Sequence, residues 1–193
     1  MGITYTNRKG RIYYLGISRT RSGKPRYNFS TEPSENPVDE IPEGYEIRES
    51  VNGIVSLARI QPCLFLLEEI AVVEAILRSH PEASRYRVSI KHNQMIIHEL
   101  RGPSRSELRE LVGHIGIAIR PGLIEDLENT MPQYSPIMRF VVADTANREF
   151  FAERWCFRGS IDDWIYIGKS KQLQRLARKF IPALGTDEFY ELS

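Results

Sequence analysis

The sequence predicts an α+β fold of three antiparallel β-hairpins with three or four helices, arranged as two lobes. Three observations carry this. Asn52-Gly53 stands between two runs of strand-forming residues, a strong short-range hairpin signal. Apolar positions recur at helical spacing over 66–79 and again over 171–184. Tyr86, Val88 and Ile90 alternate with Arg85, Arg87, Ser89 and Lys91, the period of a half-buried strand.

Taken in order, residues 11–17 and 24–30 are rich in aromatic and β-branched types, and Gly23 lies in the turn between them. Residues 3–6 add a short third strand with a turn over 7–10, so 1–31 reads as a basic β-ribbon. Residues 32–44 read as an acidic, proline-rich linker or wrapping arm. The stretch 32–49 holds seven acids and one arginine, and its three prolines oppose regular structure. Strands follow at 45–50 and 54–60. A helix follows over 66–79, with Glu74 and Arg78 as an i,i+4 pair on its wet side. A further hairpin surrounds 92–94.

Ser104 and Glu107 have capping-box spacing for another helix, and 123–129 suits a short one. These elements make 45–131 an α+β core, with the lobes expected to part near Pro132. Beyond it, 137–144 and 149–158 read as strands around a turn. Leu173, Leu176, Ala177, Phe180 and Leu184 form one helical stripe, so 132–193 reads as a ββα unit.

A chain of 193 residues can bury a core without a metal or disulfide staple. Its 41% hydrophobic and 26% charged content places it among globular chains rather than disordered ones. Two cysteines without CxxC spacing point to a reducing compartment, and a cytoplasmic location is expected. The longest apolar run, 63–67, is far too short to span a bilayer, and the N-terminal stretch is charged where a signal peptide is apolar. No membrane partner is expected.

Net charge is only +1, but its distribution is uneven. Between residues 8 and 29 stand Arg8, Lys9, Arg11, Arg19, Arg21, Lys24 and Arg26, with no acid before Glu32. Strand pairing places Arg26, Asn28 and Ser30 on one face and Tyr27 and Phe29 on the other. A cationic face of this kind suits DNA or RNA, because each phosphate it neutralises releases counterions, and a β-ribbon fits a major groove. The competing reading is that the acids of 32–49 fold back over the ribbon and screen it.

The pattern RKGRIYYL…TRSGKPRYNF resembles the small three-stranded arm-type DNA-binding modules at the front of phage and transposon integrases, in which a basic hairpin lies in the groove. The resemblance spans residues 1–30 and implies groove binding. The chain lacks the Arg-His-Arg-Tyr pattern of a tyrosine recombinase, so integrase activity is not implied. IPEGYEIRESVNG and ERWCFRGSIDDWIYIG are similar to segments of bacterial proteins of about this length that have no assigned function, which implies a bacterial setting and no activity.

Lys171, Arg175, Arg178 and Lys179 form a second basic surface opposite the apolar stripe of their helix. It suits a phosphate backbone or an acidic protein partner, or stands as a solvated helix face. The row Arg85, Arg87, Lys91 with Arg101, Arg105 and Arg109 extends such a track if the surfaces adjoin. Arg154, Arg158, Asp162 and Asp163 are a candidate polar cluster, either lining a cleft or closing a turn by ion pairing. An enzyme would work there, although adjacent aspartates alone establish neither acid-base nor metal chemistry. The four histidines lack ligand spacing and no GxxxxGK[ST], GxGxxG or GxSxG occurs, so no metal, cofactor or catalytic residue is assigned and the balance falls against an enzyme. Three readings remain: a nucleic-acid-binding accessory protein, an assembly module with complementary acidic and basic segments, and an enzyme using the polar cluster.

Overall fold

The computed structural model describes residues 2–103, 105–114, 133–158 and 161–192. The chain is α+β and forms two compact units, Met1–Gln61 and Pro62–Ser193.

The first unit is all β. Strands β1 (Thr4–Thr6), β2 (Ile12–Arg19) and β3 (Pro25–Ser30) form an antiparallel sheet in the order β1-β2-β3, and β4 (Tyr45–Glu49) and β5 (Val55–Arg59) form a second hairpin. All three hairpins close with the same device. In each, a three-residue loop ends on a glycine at positive φ: Gly10 (75°), Gly23 (78°) and Gly53 (80°). The preceding residue, Asn7, Thr20 or Ser50, accepts the glycine N–H through its carbonyl at 2.9 Å. Its side-chain oxygen also accepts the backbone N–H four residues on, from Arg11, Lys24 or Ile54 respectively. Asn-Gly therefore acts here through the glycine alone, in a bulged three-residue loop rather than a two-residue turn. A short polar side chain followed three residues later by glycine is the recurring sequence signature.

Leu15 and Val55 are the buried apolar side chains among the described residues of this unit, and the Tyr27 and Tyr45 rings meet with centroids 6.3 Å apart. Buried Asn7 also donates through its side-chain amide to the Gly53 carbonyl at 2.6 Å, tying the β1–β2 turn to the β4–β5 turn. The acidic segment is an ordered arm. Ile17 N–H donates to the Asn36 carbonyl, Val38 N–H to Leu15 and Ile3 N–H to Val38, so the arm lies along β2 as a strand would. Its prolines fit this edge position, where a missing N–H is harmless.

In the second unit, helix α1 (Leu67–Arg78) leads to β6 (Tyr86–Lys91), β7 (Gln94–Arg101) and α2 (Arg105–His114). Strands β8 (Gln133–Asp144), β9 (Glu149–Arg158) and β10 (Ile161–Ser170) follow, then α3 (Leu173–Phe180) and α4 (Asp187–Glu191). The five strands form one antiparallel sheet in the order β10-β9-β8-β7-β6. Met95, Ile97, Met138, Phe140 and Phe150 on one face pack with Val73 and Leu77 of α1 and with Leu173, Leu176 and Phe180 of α3. Spacing of i, i+3, i+4 and i+7 gives α3 its apolar stripe. Helix and sheet approach closely at Gly168, where a Cβ would lie 3.1 Å from the Phe180 ring.

Two sequence expectations need correcting. A division near Pro132 gives way to one between Gln61 and Pro62, because β8 pairs with β7 along most of its length and carries the C-terminal strands into the same sheet. The hairpin at 45–60 accordingly belongs with the N-terminal ribbon rather than with a 45–131 core. Asp162 and Asp163 lie within strand β10 rather than in a turn, paired with Phe157 and Cys156. The helix expected over 123–129 and the Ser104 cap lie outside the described residues.

Candidate nucleic-acid interface

The ribbon alternates as its pattern predicts. Leu15 pairs with Phe29 and Ile17 with Tyr27 on the inner face, while Gly16 pairs with Asn28 and Ser18 with Arg26 on the outer one. The arm crosses this outer face at Gly16, which is buried, and its backbone bonds engage β2 only between Leu15 and Ile17. From Ser18 to Arg26 every residue is exposed.

This uncovered tip carries Arg19, Arg21, Lys24 and Arg26, none of which forms an ion pair among the described residues. Glu32, Glu35, Glu40 and Glu43 on the arm are themselves exposed. The tip loop is held in shape by Thr20, whose hydroxyl oxygen accepts the Lys24 N–H at 3.1 Å. Four cations on a preset loop have less ordering entropy to lose on binding than four on a loose chain.

The other end of the ribbon is arranged differently. Arg8 is bound by the protein's own Glu49, with Nε–Oε1 at 2.5 Å and Nη2 donating to the Ser50 carbonyl at 2.9 Å. Burial alone raises the Glu49 carboxyl, but the Arg8 donors, the Arg8 charge and the Tyr5 hydroxyl together outweigh it and leave the pKa below its ordinary value. Arg8 is therefore a structural cation. The Lys9 stem passes over Gly53, while the Lys9 and Arg11 side chains are exposed. Screening by 32–49 thus reaches Arg8 through Glu49, and Glu46 is engaged by Arg48 of its own strand.

The basic helix is a surface of the second unit. Lys171, Arg175, Arg178 and Lys179 are exposed, and the Lys179 ammonium lies 4.8 Å from the centre of the Phe180 ring. Lys171 precedes the helix and faces Asp144. That carboxyl lies below its ordinary pKa first through its Asn147 side-chain hydrogen bond, with the Lys171 charge a smaller contribution.

In the row from Arg85 to Arg109, Arg85 and Arg87 are engaged by the protein itself, while Lys91, Arg101 and Arg109 are exposed. Arg85 stands 3.6 Å from Glu107 and donates to the Leu100 carbonyl, and Arg87 donates to the Tyr86 carbonyl and lies over the Tyr134 ring.

The polar cluster does not assemble as a unit. Cross-strand register puts Arg154 and Asp163 on one face of the sheet and Asp162 on the other. Asp163 accepts the Trp164 N–H, and Arg154 is buried with Nε bound to the Leu192 carbonyl. The Arg158 side chain lies outside the described residues.

Among the described residues, no group of three or more His, Cys, Asp or Glu stands together to hold a metal, and no helix is long and apolar enough to cross a membrane. Residue-type reasoning missed the aromatic set on the sheet face opposite α1 and α3. Trp155 and Trp164 meet edge to face at 5.0 Å, Phe151 meets Tyr166 at 5.6 Å, and Arg139 lies over Trp164 at 4.4 Å while paired to Glu153. Period-two alternation along β9 and β10 marks these residues, but only the cross-strand register joins them. His98 shares this face, its ring bonded to Ser89 at 2.8 Å and its pKa lowered by burial. Comparison with protein-family models, with curated proteins and with solved structures finds no match to this chain.

Proposed function

We propose that the protein binds nucleic acid, with the tip of the β2–β3 ribbon as its principal contact. The observation that carries this reading is the exposure of Arg19, Arg21, Lys24 and Arg26 without an ion-pair partner among the described residues, on a loop whose shape the backbone already holds. Uncommitted cations at a narrow, preset tip suit phosphate contact and entry into a major groove. Loop and strand ends present no apolar side chain between Ser18 and Lys24, so contact there is electrostatic rather than hydrophobic. Exposed Lys171, Arg175, Arg178 and Lys179 offer the second unit a phosphate contact of its own.

Equilibrium binding to a duplex labelled with a fluorophore, repeated across a salt series, tests the proposal. Four phosphate contacts give a slope of log K against log salt of about −3 to −4. A slope near zero, or no binding at low salt, rejects it. A parallel series on single-stranded DNA and RNA identifies the preferred strand form.

A further inference from the structure

A second site is indicated by a cleft of about 710 Å³ in the second unit, where β7, β8 and β9 end beside α4. Its polar lining includes Glu99, Arg101, Arg154 and Tyr190, and its apolar wall includes Leu100 and Trp155. Arg154 is 9% exposed, yet no acid partners it among the described residues. Its Nε donates to the Leu192 carbonyl, which fixes the plane of the guanidinium against α4. No hydrogen bond from the two terminal nitrogens to an acceptor is seen among the described residues.

Burying a guanidinium without a counter-ion is unfavourable, and an anion drawn into the cleft supplies what the described residues do not. The guanidinium fork matches a carboxylate or phosphate in two-point geometry. Arg101 stands on the same lining, exposed and without an ion pair among the described residues, so a second cation is available to the same anion. Glu99 accepts the Tyr86 hydroxyl through one oxygen at 3.4 Å, leaving its second oxygen to take a hydroxyl or amine donor.

We infer that this cleft binds a small organic anion, with its phosphate or carboxylate on Arg154 and Arg101. This site stands independently of the ribbon, because none of its residues belongs to the first unit.

The test uses the full chain and its own tryptophan emission. The protein has two tryptophans, Trp155 on the cleft wall and Trp164 5.0 Å from it, so a ligand in the cleft alters the signal. Inorganic phosphate, benzoate, adenosine and AMP are titrated to about 10 mM. AMP or benzoate should change the emission saturably, adenosine should not, and phosphate should compete with whichever anion binds. The AMP and benzoate arms separate phosphate from carboxylate chemistry. Arg101→Gln should weaken binding about tenfold while leaving the melting temperature unchanged. Arg154→Gln should abolish binding; if that variant does not fold, Arg101→Gln decides the matter by itself. No response to any anion, or equal affinity in Arg101→Gln and the parent, overturns the inference.

Discussion

Ser34 lies directly over Gly16: a Cβ built on the glycine would stand 2.2 Å from the serine hydroxyl oxygen and 2.7 Å from its Cβ. At this crossing the acidic arm meets the basic ribbon, and the contact determines how much of the ribbon stays open. Beside it the arm's backbone bonds to Leu15 and Ile17, and from Ser18 outward the strands continue uncovered.

Gly16→Ala should therefore destabilise the chain by about 1–3 kcal/mol, as overpacking at a close backbone approach does. Urea unfolding measures the change, and Gly16→Val should cost more. Both variants should retain the tip's affinity for nucleic acid, because the clash lies at the base of the ribbon. Wild-type stability in both would show that the arm does not seat on Gly16.

Asn7 joins two turns through three hydrogen bonds, accepting from Lys9 N and Arg11 N and donating to the Gly53 carbonyl. Asn7→Ala leaves buried polar groups with fewer partners and should cost about 2–3 kcal/mol. Asn7→Asp keeps the acceptor and removes the donor, so its loss should fall between those of the parent and the alanine variant. Chemical denaturation of the three proteins checks the order.

Acid should loosen the first unit through Glu49. Its folded pKa is depressed, so its contribution is fully present above its unfolded pKa and is lost as pH falls through its folded pKa. Glu49→Gln should flatten that part of the stability–pH curve, and Arg8→Ala should shift it by weakening the same pair. Thermal melts from neutral pH into the acid range report the difference. An unchanged curve in Glu49→Gln would remove Arg8–Glu49 from the account.

Local chemistry made much of the fold legible. The three hairpins of the first unit follow from Gly10, Gly23 and Gly53, because positive φ at the third loop position favours glycine strongly. α3 was readable from its stripe, since only one face of that segment is apolar. What remained hidden depends on distant pairing. β7 meets β8 across a stretch of chain that no local period spans, and that ladder moves the unit boundary from Pro132 to Gln61. Arg8 reads as one more ribbon cation until Glu49, 41 residues away, is placed beside it. Asp162 and Asp163 look like a pair in sequence, yet strand geometry sends adjacent side chains to opposite faces. The cleft around Arg154 likewise draws on β7, β8, β9 and α4 together, and no one segment announces it.

Charge reversal at the tip tests the central claim most directly. Duplex binding of the parent is compared with that of a variant carrying Arg19→Glu, Arg21→Glu, Lys24→Glu and Arg26→Glu, at about 100 mM salt and with circular dichroism to verify the fold. The variant should lose about a hundredfold or more in affinity and show a much shallower salt slope, the remainder being set by the cations of the second unit. A folded variant that binds the duplex as tightly as the parent, with the same salt slope, would contradict it.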